Sequence, residues 1–270
     1  MRNDFIYIED KVPYYKSRLF DARGIRHAFF TRNGGVSEAP FDSLNFALGA
    51  GEMKDTEENL MKNYSIAASV FGLSKEDVCR TFQTHTSTVV YADESERGRG
   101  ITFPNFDFGV DGLVTDKKNL LLSVRTADCV PILLFDKDAN VCGAVHAGWR
   151  GTVGKIAENA INMMEEKGAR RENILAAIGP CIGNCCYEVG IEILEEFTRI
   201  DPKYSAFFKP NGEKFMLDLT SANEELLTDF GIKRENISCA DICTKCNESD
   251  FFSHRRNGVN RGTMSAFICI

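Results

Sequence analysis

The chain is poor in the residues that build extended or fibrous structure. It has seven prolines and one tryptophan in 270 residues, and neither a Pro- or Ser-rich stretch nor a run of like charge divides it. Collagen-like, low-complexity and linker-divided architectures are excluded on that ground. A long apolar run is also missing: the best candidate, Leu120 to Val124 and then Val130 to Phe135, is interrupted by Arg125 and Asp128. That is well short of the ~20 apolar residues that a membrane span needs. The opening MRNDFIYIEDKVPYY scatters charge where a secretory signal carries an apolar core, so a cytoplasmic location is expected. Positive charge is not in excess either. Lys+Arg 32 against Asp+Glu 39 leaves a formal net charge of -7, which repels nucleic acid and an anionic membrane surface, and neither is expected as a partner.

What is present is an ordinary globular composition, 43% hydrophobic and 26% charged, of a length near the upper limit for one core. Residues 1–270 are therefore read as a single domain. Asp55 and Glu58 open a helix whose buried face is Leu60, Tyr64, Ala67 and Phe71, and Gly72 ends it. Short apolar runs then follow at 77–82, 88–91, 112–115, 120–124, 131–135 and 141–145, of lengths that suit buried strands. Helical spacing returns between Gly151 and Gly168, then around 189–197 and 221–230, the last capped by Thr220 or Ser221. Strands fit 173–178, 236–242 and 264–270. The order implies an α+β domain with a mixed β-sheet core flanked by helices.

Of only four histidines, His85 follows one strand in CRTFQTHTSTVV and His146 ends another in VCGAVHAGWRG. Cys129, in SVRTADCVP, ends a third. Strand ends hold functional side chains rigidly, and two imidazoles with one thiolate give zinc three ligands and an open fourth position, as in catalytic sites. The same residues also read as a small buried thiol and two hydrogen-bonded imidazoles. Asp128 reads either as a turn or ion-pair residue, or as a carboxylate that orients a histidine or the substrate. AGWRGTVG places Gly148, Gly151, Gly154 and Arg150 at a helix start. Such glycines suit an anion at free amides or a helix packed tightly on the sheet. In SHRRNG, Arg255 and Arg256 offer cations to a phosphate or to surface carboxylates.

With ten cysteines and no signal for export, reduced thiols or metal ligands are expected in place of a disulfide framework. Cys239, Cys243, Cys246 and His254 form a conceivable second zinc set. A single CxxC beside a strand favours packed or exposed thiols instead. The sequence offers no reason for Cys181, Cys185 and Cys186 in one short turn-rich segment.

Taken together, TRNGGVS, SLNFALGAGE, QTH, VDGLVTD, TADCVPILLFD, GAVHAGWRGTVG, AAIGPCIGNCCYEVG, LDLT and FFSHRRNG closely resemble the YfiH-type laccase-domain family, from about residue 25 to the C-terminus. Members are variously labelled polyphenol oxidase, purine nucleoside phosphorylase and peptidoglycan editing factor. The resemblance implies metal binding, and catalysis, by His85, Cys129 and His146. It also implies a zinc enzyme that cleaves adenosine, inosine, guanosine or methylthioadenosine with phosphate and deaminates adenosine. Arg150, Arg255 and Asp128 are the expected substrate contacts. Thr84 and Thr86 stand where members often have Val and Gly, and His254 where Tyr is common.

Three other readings compete. A multicopper oxidase needs more imidazoles than His27 and His254 can add. A cysteine hydrolase would use Cys129 as nucleophile and His146 as base. A peptidoglycan editing factor would act on wrongly loaded UDP-muramoyl precursors.

Overall fold

The computed structural model describes residues 4–270. Its strands form two six-stranded mixed sheets and a three-stranded ribbon. The first sheet runs, in spatial order, Phe5–Ile8, Tyr14–Ser17, Arg26–Phe30, Met264–Cys269, Leu121–Thr126 and Val78–Arg80. The second runs Ile237–Cys239, Leu175–Ile178, Val130–Asp136, Val141–Ala147, Gly112–Thr115 and Val89–Tyr91. Residues 127–129 carry the chain from the first sheet into the second. The expected α+β class with mixed sheets is what the structure has, and its strands divide between two sheets packed face to face.

The all-apolar strand Val130–Asp136 shows why. Its Leu133 and Phe135 point to a core shared with Leu122, Val124, Ala266 and Ile268 of the first sheet. Its Ile132 and Leu134 point the other way, to Ile156, Ala160 and Met164 of the helix Ile156–Glu166. With both faces covered, alternation disappears from the sequence. The helix Glu57–Ser69 covers the outer face of the first sheet through Leu60, Tyr64 and Ala67 against Phe30, Leu121 and Phe267. The layers are therefore helix, sheet, sheet, helix.

Three local expectations shift. Thr56, one residue past Asp55, caps the first long helix by accepting from the Asn59 amide. Asp218 caps the helix Leu219–Asp229 in place of Thr220 or Ser221, accepting from the Ser221 amide at 2.9 Å. The helix expected from 151 to 168 is two, Trp149–Val153 and Ile156–Glu166, separated by Lys155 in the left-handed region at φ 59°.

Candidate metal centre

His146 lies in the strand Val141–Ala147, Cys129 in the crossing just before Val130–Asp136, and His85 in the loop after Val78–Arg80. The fold brings the three together: one nitrogen or sulfur from each lies within 4.8 Å of the others. Cys129 Sγ is 3.9 Å from His85 Nε2, and the two imidazole rings are 5.0 Å apart at 76°. His85 is exposed, Cys129 half-buried and His146 buried, so the centre opens to one side. Gly148 keeps that side open. A Cβ there would stand 3.1 Å from Cys129 Sγ and 3.2 Å from His85 Cδ2.

Asp111, which sequence reasoning passed over, organises the centre. Fully buried, it meets His146 Nδ1 at 2.8 Å, which leaves His146 Nε2 free toward Cys129 and His85. Its two oxygens also accept from the backbone amides of Thr84, His85 and Thr86 and from the Thr86 hydroxyl. Those bonds hold His85 in the left-handed region at φ 62°, a conformation that a non-glycine residue keeps only when its surroundings over-determine it. The signal was in VDGLVTD: an acidic residue opening a buried strand. Burial opposes charge on Asp111, but the bond to His146 and the amides hold its carboxyl down at about 2.

The electrostatics of the metal-free centre follow from this arrangement. Burial works against a Cys129 thiolate, yet the His146 imidazolium and hydrogen bonds from both imidazoles bring the thiol down to about 6. Burial likewise works against a charged His146, yet the Cys129 thiolate and Asp111 raise it to about 9. A thiolate between two imidazoles, one anchored through its other nitrogen by a carboxylate, is a donor set suited to a metal ion.

The other expected contacts fall differently. Asp128 is buried at φ 91°, and its carboxylate accepts from the Thr244 hydroxyl, the Ser253 hydroxyl and the Arg255 amide. It therefore fastens the 244–255 segment beside the centre and orients neither histidine. Arg255 borders the cavity, lies 5.3 Å over the Tyr187 ring and donates to Glu188 O. Arg150 borders it too, exposed and 4.2 Å over Trp149. Arg256 is turned into the 244–251 segment, donating to the carbonyls of Thr244, Lys245 and Phe251. The helix after Gly148 has only five residues, too short to carry much dipole. Its glycines serve close packing: a Cβ at Gly151 would stand 3.3 Å from Thr86 O, and one at Gly154 3.0 Å from Ser87.

The centre opens into a cavity of about 1080 Å³. Arg80, Arg125 and Arg261 line it, and each has a buried Nε without a hydrogen-bond partner among the described residues, as does the hydroxyl of Thr263 on the same wall. Burial lowers Arg125 to about 10, with Arg80 pushing the same way. Arg261 is lowered by burial against the pull of Asp128 and Cys129. Among the described residues no helix is long and apolar enough to cross a membrane.

Known proteins share this framework. The chain is 33% identical over 243 residues to purine nucleoside phosphorylase YlmD of Bacillus subtilis (strain 168), covering 89% of this chain and 86% of that one. It is 38% identical over 198 residues to adenosine deaminase RL5 of an unknown prokaryotic organism, covering 72% and 76%. The crystal structure of YlmD from Geobacillus stearothermophilus superposes with a TM-score of 0.90 at 32% identity over 98% of both chains. A family model described as multi-copper polyphenol oxidoreductase laccase matches residues 26–270, and the chain belongs to that family.

Proposed function

We propose that this chain is a cytoplasmic, zinc-dependent purine nucleoside phosphorylase that also deaminates adenosine. The observation that carries the reading is a single cavity that joins two unlike sites. One is the His85, Cys129 and His146 centre, and the other is a wall of three arginines with unpartnered buried nitrogens. The donor set fits zinc: one thiolate, two imidazoles, an outer carboxylate on His146, and a glycine that leaves the fourth side clear. A zinc ion held there would supply the Lewis acidity that attack at adenine C6 calls for.

The remaining work belongs to the chain. Arg80, Arg125 and Arg261 offer desolvated guanidinium N–H groups, the preferred donors for phosphate. Thr263 adds a hydroxyl. Phosphate held there can meet the ribose C1′ of a nucleoside in the same cavity, whose volume admits both. Arg150 and Arg255, stacked on Trp149 and Tyr187, also line the cavity, where they would face substrate. The multicopper reading lacks ligands. His27 is engaged with Ser17 and Ile25, and among the described residues no further histidine joins a metal-ligating group.

The test is turnover of adenosine by protein of known zinc content, with and without phosphate, with adenine, hypoxanthine and inosine resolved by chromatography. Phosphate-dependent adenine that vanishes in His85→Ala and Cys129→Ala is expected. Arg125→Gln should raise the KM for phosphate about tenfold or more, as expected for loss of a charged hydrogen bond, while phosphate-independent deamination is largely kept. Equal effects of Arg150→Ala and Arg125→Gln would overturn the arginine assignment. Inert zinc-replete protein would turn attention to UDP-muramoyl precursors. The low thiol of Cys129 beside His146 also fits a cysteine hydrolase, and that reading requires turnover to survive metal removal.

A further inference from the structure

A second group of cysteines lies outside this centre. Cys185 and Cys186 come from one turn, in which the Cys186 and Tyr187 amides both donate to Gly183 O. Cys243 and Cys246 come from another, closed by Asn247, whose amide and side chain both donate to Cys243 O. An isolated parallel bridge pairs Cys181 with Cys243, and the bonds Cys181 N to Ile242 O and Thr244 N to Cys181 O lash the segments together. The four sulfurs then fall within 4.8 Å of one another.

We propose that Cys185, Cys186, Cys243 and Cys246 bind a structural zinc ion through four thiolates. Cys246 Sγ is 3.6 Å from Cys185 Sγ and 3.4 Å from Cys186 Sγ. A tetrahedron with Zn–S of about 2.3 Å has edges of about 3.8 Å, whereas a disulfide brings sulfurs to about 2.05 Å. Both spacings lie close to the tetrahedral edge and far from a disulfide, and all four sulfurs fall within 4.8 Å of one another. Gly183 makes room for it: a Cβ there would lie 3.1 Å from Cys243 Cβ and 3.3 Å from Cys185 Sγ. Cys243 is the deepest of the four, and the amides of Gly183 and Cys246 are directed at its sulfur. Such donors commonly surround metal-bound thiolates.

Four protein ligands leave no open position, so this ion would be structural. Its place gives it a task. The first turn carries Tyr187, and the second leads to Thr244, Ser253 and Arg255, the segment fastened to Asp128. Tyr187 and Arg255 line the large cavity. The four-thiolate ion would clamp two walls of that cavity to each other. This assignment also resolves the cysteine pattern. Cys239 is buried in its strand and His254 is an exposed residue bordering the cavity, so neither belongs to the second set, whereas the adjacent Cys185 and Cys186 do.

The experiment measures zinc content in chain purified under reducing conditions and reconstituted with zinc, then freed of loose metal. The intact chain should hold about two zinc ions, and His85→Ala/Cys129→Ser about one. X-ray absorption at the zinc edge of that double variant should give four sulfurs at about 2.3 Å. Cys243→Ser/Cys246→Ser should lose one ion from the intact chain. A double variant without zinc overturns the proposal, as does zinc in it with nitrogen or oxygen ligands, iron in its place, or a disulfide among the four cysteines in freshly reduced protein. Because the double variant keeps all four cysteines, misfolding of the cysteine replacements leaves the test intact. A loss of the first ion with retention of the second separates failure of the proposed function from failure of this inference.

Discussion

One carboxylate carries much of the centre. Asp111 binds the far nitrogen of His146 and three amides of the loop bearing His85, so Asp111→Asn should weaken zinc at His85, Cys129 and His146 by about ten- to a hundredfold. Competition with a chelator, in a Cys243→Ser/Cys246→Ser background, reads that change. Proton competition has a definite sign here. The Cys129 thiolate and Asp111 raise His146 to about 9, so a metal that binds its Nε2 must displace a proton below that pH. Affinity should therefore rise about tenfold per pH unit from 6 toward 9, and more steeply below about 6, where Cys129 also protonates. An affinity that is flat over that range would remove the thiolate–imidazolium pair from the account. Gly148→Ala, which sets a methyl against Cys129 Sγ and His85 Cδ2, should lower zinc content while the fold persists by circular dichroism. The trio of His85, Cys129 and His146 was legible because the chain has only four histidines, two of which, with one of the ten cysteines, fall at strand ends, and because the family resemblance points to the same three positions. Asp111 was harder to find because a buried carboxylate is recognised by its partners, which sequence does not give. Arg125 was visible only as an interruption of an apolar run, and that interruption is the cation facing the cavity.

At the scale of elements, continuous apolar runs revealed Val130–Asp136 and Val141–Ala147, whereas Phe5–Ile8 and Tyr14–Ser17, short and half-polar at a sheet edge, gave no signal. The division into two sheets depends on pairings such as Val124 with Ala266, 142 residues apart by position, and periodicity does not report partners. The helix expected across 151–168 breaks because Gly151 and Gly154 pack the short Trp149–Val153 helix against Thr86 and Ser87, and the chain must then turn through Lys155 before helix resumes. A lysine at φ 59° has a side chain that this conformation disfavours by about 1 kcal/mol, and its contact with Glu158 is an exposed ion pair of 3.5 Å worth little. Lys155→Gly should therefore raise stability by about 0.5 kcal/mol in urea unfolding. A clear loss instead would mean that the lysine side chain contributes more than its position suggests.

At the scale of the whole molecule, one acid-sensitive contribution to stability sits at a joint between the two sheets. Ser17 of the first sheet meets Ser238 of the second, hydroxyl to hydroxyl at 2.6 Å, and the Ser17 amide donates to His27 Nε2 at 2.9 Å. His27 Nδ1 lies 2.9 Å from Ile25 O, so the buried ring is neutral, with its proton on Nδ1 and an acceptor at Nε2. Adding the second proton would set two donors face to face. Burial lowers His27 to about 4, only partly offset by its bond to Ile25 O, whereas the unfolded chain takes up that proton near 6.5. The sign follows: this contribution is fully present above about pH 6.5 and is lost as pH falls toward 4, because the unfolded chain binds the proton first. Its full size is about 3 kcal/mol, of which about 2 is lost between pH 7 and 5. Urea unfolding across that window should show, beyond any zinc-linked loss common to both proteins, a fall about 2 kcal/mol smaller in His27→Gln than in the intact chain. Parallel pH profiles for the two proteins would show that the acid sensitivity resides elsewhere.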